Sequence, residues 1–244
     1  MQDKMTFVLT SCGRTFLLNR VLETFFKFNK FNFEDMYIVE DSLDLNTYKN
    51  IKKKWGSRIK IICNKQKKGQ IRSIIDVYKK IKTPYIFHCE DDWLYTRSNF
   101  IEDSLKILKT DPKIIQVWLE SRESASRLDI FSYGKLESKK GVKFRKVYCK
   151  EGWEWGHFSF RPGVKRLSDY KLINGYEKFQ NELDISVEYK KLGFYTVIID
   201  KPAVEDIGDD HHVSDPTRKW PKRRKSNSTK GLKRLWGHLK KLKF

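Results

Sequence analysis

Short runs of β-branched and aromatic residues recur along the first part of the chain, each closing in polar residues: MTFVLTS from Met5, MYIVEDS from Met36, IKIICN from Ile59 and YIFHCEDD from Tyr85. Between them the apolar spacing lengthens from two residues to three and four. Ile71, Ile74, Ile75 and Tyr78 fall at i, i+3, i+4 and i+7, and the spacing predicts helices over Phe16 to Phe28, Leu45 to Trp55 and Gly69 to Ile81. Alternating strand and helix predicts an α/β fold with a mostly parallel sheet flanked by helices. Ligands on such sheets bind beyond the carboxyl ends of the strands. TSCGR, EDS, CNKQKKG and CEDDW all fall at those ends, so four separated stretches are expected to converge on one cleft.

A helix over Asn99 to Leu108 and the apolar run IIQVWL come next, after which regularity fades. ESRESASRLDIFSYGKLESKKG is polar and rich in turn formers, and YCKEGWEWGHFSFRPG mixes Trp, Phe, His and Gly, which predicts a loop-rich second half with short antiparallel strands. NELDISVEYKKLGF returns to a helix stopped at Gly193, and YTVIID to a strand. No internal repeat and no low-complexity linker precedes Pro216.

With 244 residues, 39% of them hydrophobic, the chain can bury one substantial core, and one domain plus a tail is expected. The formal charge of +20 is unevenly placed: Thr217 to Phe244 carries 12 basic residues and no acid, and the rest carries 39 basic against 31 acidic residues. In the tail, Leu232, Leu235, Trp236, Leu239 and Leu242 recur at helical spacing among Lys and Arg. Such a stripe suits the surface of an anionic membrane, where each basic residue adds about 1 kcal/mol, and equally a helix folded back on the domain. Nucleic acid is disfavoured, because no known binding motif accompanies the charge. Cys12, Cys63, Cys89 and Cys149 lie far apart without CxxC spacing and are expected to be reduced and buried. The opening residues run straight into a strand, so no signal peptide is expected and the cytoplasm is the expected compartment, with peripheral contact at the inner face of a membrane through the tail.

HCEDDW sets Glu90, Asp91 and Asp92 directly after a buried strand. Adjacent carboxylates repel and need a cation. Hard oxygen donors at a strand end suit Mg²⁺ or Mn²⁺, which can bridge carboxylate and diphosphate.

In order and spacing, VLTSCGR, YIVEDS and KKGQIRSIIDVYKKIKTPYIFHCEDD resemble the nucleotide-binding half of the GT-A glycosyltransferases, particularly the inverting family 2. The resemblance spans about Met5 to His212 and implies a GT-A, Rossmann-like fold over 1–216, with a nucleotide-binding half over about 1–118, an acceptor half over about 119–216 and the basic tail beyond. It implies a UDP-, GDP- or dTDP-sugar donor, a glycan, lipid-linked or protein-linked acceptor, and transfer of a hexosyl or deoxyhexosyl group. Thr10, Ser11 and Arg14 would line the nucleotide loop, and Asp41, ahead of Glu40, would contact the base. Lys65, Gly69 and Arg72 would approach base, ribose or diphosphate. The acids stand at the family's DxD position with Glu90 replacing the first Asp: Asp92 is the expected metal ligand, with Glu90 beside it, and Asp91 would face the donor ribose or sugar.

NELDISVEYKKLGF matches the family's EDxDLxxRxxxxGY spacing, with Asn181 replacing the first acid and Glu188 the usual Arg. Glu182 falls on the catalytic base, and Asp184 stays open as the alternative. In VEDIGDDHHVSDP, the family's returning metal ligand would be His212, with His211 left open as the alternative. Trp153, Trp155, His157 and Arg161 would serve the acceptor side. A nucleotidyltransferase is the second enzymatic reading, although TSCGRT is poor in Gly for a phosphate loop. A basic nucleic-acid-binding protein with structural acids is the non-enzymatic one.

Overall fold

The computed structural model of the chain describes residues 3–126, 130–151, 158–208, 211 and 213. Strand and helix alternate as expected through β1 (Met5–Ser11), α1 (Thr15–Phe28), β2 (Asp35–Glu40), α2 (Leu45–Trp55), β3 (Lys60–Cys63), α3 (Gly69–Tyr78) and β4 (Tyr85–Glu90). Then come β5 (Trp93–Tyr95), α4 (Phe100–Leu108), β6 (Ile114–Trp118), α5 (Arg122–Ala125), β7 (Phe131–Lys139), β8 (Val142–Cys149), β9 (Gly163–Arg166), α6 (Leu167–Leu172), α7 (Glu182–Lys191), β10 (Tyr195–Ile199) and β11 (Val204–Asp206).

The main sheet has the order β3-β2-β1-β4-β9. Its first four strands are parallel and β9 runs antiparallel to β4. Strand order reverses beside β1, which opens a crevice between β1 and β4 at their carboxyl ends. Because β9 comes from the second half of the chain, the two expected halves share this sheet. A second sheet, β6-β10-β8-β7, packs beyond it, and β11 pairs with β5.

Pleating of β1 divides the core. Met5, Phe7 and Leu9 point into one cluster with α1 and α4, while Val8 points into the other with α3 and α7. α1 buries Leu17, Leu18, Val21, Leu22 and Phe25, and the Phe25 ring lies 4.6 Å from that of Phe7. Each such side chain contributes about 1.5–3 kcal/mol when fully buried. α7 stops as its sequence predicts: Gly193 takes φ +79°, its N–H meets the Lys190 carbonyl at 2.9 Å, and the Phe194 N–H meets that of Tyr189 at 3.1 Å.

Three expectations change. The polar stretch after α5 is a long hairpin, β7 to β8, not short strands among loops. β7 is an edge strand exposed over most of its length, so it lacks the apolar alternation that marks a half-buried strand. β5 and β11 are three residues each, too short for periodicity to register. All four cysteines are unpaired, but Cys89 alone is buried; Cys12, Cys63 and Cys149 sit at strand ends, half-buried.

Candidate functional site

β1 hands the chain to α1 through Cys12, Gly13 and Arg14. Gly13 takes φ +75°, a conformation that suits a residue without Cβ, and its N–H donates to Glu40 Oε1 at 2.8 Å. The same oxygen accepts from the Ser42 N–H at 2.8 Å. Glu40, fully buried at the end of β2, therefore ties the first two strand-end loops together.

The bend aims Arg14 at the acids. Asp91 is fully buried, and its Oδ2 accepts from Ser11 Oγ at 2.9 Å and Arg14 Nε at 3.3 Å, while Arg14 Nη2 donates to its Oδ1. Nη2 also lies 3.0 Å from Asp92 Oδ2, and Nη1 donates to the His211 carbonyl at 3.2 Å. Burial raises the Asp91 carboxyl, opposed by Arg14 and Ser11. Burial pushes Asp92 up to about 6, against Arg14, with Asp91 and Asp206 adding to the rise. Glu90 Oε1 accepts from Gln70 Nε2 at 2.6 Å; burial pushes this carboxyl well above the usual range, and the charges of Asp92 and Glu182 add to the rise.

Across the crevice, Asp41 organises the entry to α3. Its Oδ1 accepts from Asn64 Nδ2 at 2.7 Å and the Lys68 N–H at 3.0 Å, and its Oδ2 from the Gly69 N–H at 2.8 Å. Gly69 makes the turn with φ +75°. Lys67 reaches back over β1, placing Nζ 2.6 Å from Cys12 Sγ and 3.0 Å from the Asp41 carbonyl. Burial raises the Cys12 thiol, opposed by Lys67. Together these loops enclose a cavity of about 150 Å³ lined by Thr10, Ser11, Arg14, Asp41, Lys67 and Asp92 among others.

The last of the described residues return to this cavity. β11 pairs with β5, the Ile207 N–H meets the Asp92 carbonyl at 2.8 Å, and Val213 lines the cavity. Below it, α7 begins with Asn181, which accepts from the Asp184 N–H at 3.0 Å, so Glu182 enters on the first turn and its Oε2 accepts from the Phe160 N–H at 2.8 Å.

Among solved structures, the chain is similar to a mannosyltransferase, PcManGT, from Pyrobaculum calidifontis in complex with GDP-Man and Mn²⁺ (TM-score 0.62, 11% identity, 86% of this chain and 59% of that one). It is similar to TarS residues 1–349 of S. aureus (0.55, 11%, 82% and 59%) and to GalNAc-T7 with UDP, GalNAc and Mn²⁺ (0.55, 12%, 81% and 42%). The chain has the GT-A fold. It spans less than two thirds of the length of each of these neighbours. No family model and no curated protein matches the sequence.

The GT-A framework brings most of the expected donor-side residues together and sets others aside. Thr10, Ser11, Arg14, Asp41, Gly69, Glu90, Asp91 and Asp92 line one cavity. Lys65 is exposed outside it, and Lys67, two residues on, occupies the place expected for Lys65 because the chain is already turning toward α3. Arg72 points off the other side of α3, where it donates to the Glu177 carbonyl at 3.1 Å; Gln70 and Ser73 face the cavity instead. Asp184 is exposed and bonded to Asn181, which leaves Glu182 as the α7 acid beside Glu90. Arg161 is paired with Glu120, its guanidinium 4.7 Å from the centre of the Trp118 ring, rather than open to an acceptor. The His211 ring packs edge-on to Phe16 at 4.8 Å. Trp153, Trp155, His157, His212 and the tail lie outside the described residues.

Whether a divalent ion fits turns on Asp92. Among the described residues no three His, Cys, Asp or Glu side chains are grouped to hold an ion. Both oxygens of Asp91 are committed to Ser11 and Arg14, but Asp92 Oδ1 is buried without any hydrogen-bond partner. Hard cations at phosphate-transfer sites are commonly held by one or two carboxylates together with the substrate's phosphates. Asp92 lines the cavity and keeps one carboxylate oxygen without a partner, which meets that requirement.

Proposed function

We propose that this chain is an inverting glycosyltransferase that moves a sugar from a nucleotide-sugar donor to a hydroxyl of a carbohydrate-bearing acceptor. The observation that carries the reading is the convergence of the β1, β2 and β4 ends and the α3 entry on one cavity, whose lining includes Asp92, a residue with one buried carboxylate oxygen left unpartnered. The GT-A fold and the nucleotide and Mn²⁺ complexes of two neighbours support it.

In this reading Thr10, Ser11 and Gly69 place the nucleotide against β1 and α3, and Lys67 and Arg14 offer positive charge to the diphosphate. Asp92 would hold Mn²⁺ or Mg²⁺, and such an ion would supply Lewis acidity toward the departing diphosphate. The acceptor oxygen forms its bond to the anomeric carbon as the bond from that carbon to the diphosphate oxygen breaks. The hydroxyl proton passes to Glu182, and the nucleoside diphosphate leaves with the bonding pair.

Thermal unfolding with a panel of UDP-, GDP- and dTDP-sugars tests the proposal. One donor is expected to raise Tm in the presence of Mn²⁺, since ligand bound only by the folded state stabilises it. Asp92→Asn is expected to lose the Mn²⁺-dependent part of that rise while melting as a folded protein. No response to any nucleotide sugar would sink the reading, and an unchanged Mn²⁺ effect in Asp92→Asn would remove Asp92 from the metal site.

A further inference from the structure

A buried lysine below the cavity has no part in the reaction as derived so far. Lys165, on β9, is 4% exposed, the only Lys or Arg among the described residues in the buried class. Its register opposite Ile86 of β4 turns it toward the core that holds α7. There Nζ donates to the Ser159 carbonyl at 2.8 Å and to Gln116 Oε1 at 3.3 Å, and lies 4.8 Å from the centre of the Phe158 ring. Those partners are uncharged, so they do little to offset the cost of burying an ammonium group.

The charge that does offset it comes from above. The ionisable groups acting on Lys165 are Glu182 of α7 and Glu90 of β4, which favour its protonated form, and its own charge bears on the buried imidazole of His88 on β4. Glu182 and Lys165 also grip the two ends of one peptide group, that between Ser159 and Phe160: the acid accepts from its N–H, and the lysine donates to its carbonyl. Ser186 Oγ of α7 accepts from the Phe158 N–H at 3.0 Å, and Gln116 Oε1 of β6 from the Ser159 N–H at 3.1 Å. The 158–160 segment is thus clamped from three elements, with an acid and a cation on the N–H and the C=O of a single peptide group.

We propose that Lys165 is a positioning residue for Glu182: its buried charge keeps the Glu182 carboxylate ionised, and its hydrogen bond to Ser159 fixes the segment against which that carboxylate is oriented. The proposal rests on the reading of Glu182 as the base. Electrostatic interaction is reciprocal, so a cation favoured by two carboxylates favours their ionised forms in turn. Burial lowers Lys165 to about 7, opposed by Glu182 and then Glu90. Its support for Glu182 is therefore present at lower pH and fades as pH rises through about 7.

The test is the titration of Glu182, followed by ¹³C-glutamate NMR with its signal assigned by loss in Glu182→Gln. In Lys165→Met the carboxyl is expected to titrate about one pH unit higher than in the wild-type protein, the scale of one nearby charge. Single-turnover transfer is expected to fall by up to about tenfold on its acid limb, which moves to higher pH, while donor affinity stays within about threefold. An unmoved Glu182 titration in folded Lys165→Met overturns the proposal. If that variant does not fold, the wild-type protein decides: an inflection of the Glu182 signal that shares its midpoint with the Lys165 amine, followed by ¹⁵N-lysine NMR, supports the coupling, and no shared inflection overturns it. A wild-type protein that transfers no sugar defeats the glycosyltransferase reading, while the titration still decides whether Lys165 governs Glu182.

Discussion

Three adjacent acids at the end of a buried strand require positive charge, and in the folded chain Arg14 supplies it, bonded to both Asp91 and Asp92. The acid proposed for proton transfer lies elsewhere. Glu182 stands on the first turn of α7, where an acid stabilises a helix end by about 0.3–1 kcal/mol whatever else it does. Glu182→Gln separates the two roles, because the amide oxygen can still accept from the Phe160 N–H. If Glu182 is the base, donor affinity is expected to stay near wild type while single-turnover transfer slows by about 10²-fold or more. A rate within about threefold of wild type would pass the role to Asp184, to be tested as Asp184→Asn. At this scale the sequence is a partial guide. CNKQKKG offers three lysines in four positions, and which one reaches the cavity depends on where the chain bends into α3.

Among elements, the return of β11 to β5 is the contact that shapes the acid site from outside the main sheet. A Cβ at Gly208 would stand 2.7 Å from Asp92 Oδ2, 2.9 Å from its Cβ and 3.0 Å from its Cγ. The segment cannot back away without losing the Ile207 bond to the Asp92 carbonyl. Gly208→Ala is therefore expected to cost about 1–3 kcal/mol, the scale of overpacking, and to weaken Mn²⁺-dependent donor binding. Gly193→Ala is the control: φ +79° with nothing within 4 Å of its Cβ predicts about 1–2 kcal/mol of strain and unaltered donor affinity. Urea melts paired with donor titrations check both, and equal donor affinity in the two variants would refute the role given to Gly208.

For the whole molecule, two cores on either face of one sheet make the strand-end cavity and the second half of the chain parts of a single body, with β9 and β11 carrying late sequence back to the early strands. No helix among the described residues is long and apolar enough to cross a membrane. If the basic tail contacts an anionic bilayer, truncation after Thr217 is expected to leave Tm and transfer to a soluble acceptor unchanged while weakening binding to anionic liposomes. Equal liposome binding with and without the tail would rule that contact out.

Periodicity and strand-end chemistry made the first half of this protein readable from its residues: the helices, the parallel strands and the convergence of TSCGR, EDS, CNKQKKG and CEDDW all follow from short-range pattern, because every parallel strand must end on the same side of the sheet. The exposed β7 edge, the three-residue β5 and β11, the choice of Lys67 over Lys65, the pairing of Arg161 with Glu120 and the burial of Lys165 under Glu182 were decided by tertiary structure. Each depends on a neighbour distant in sequence, and partnership between a buried charge and its counter-charge is a property of packed space that no local pattern encodes.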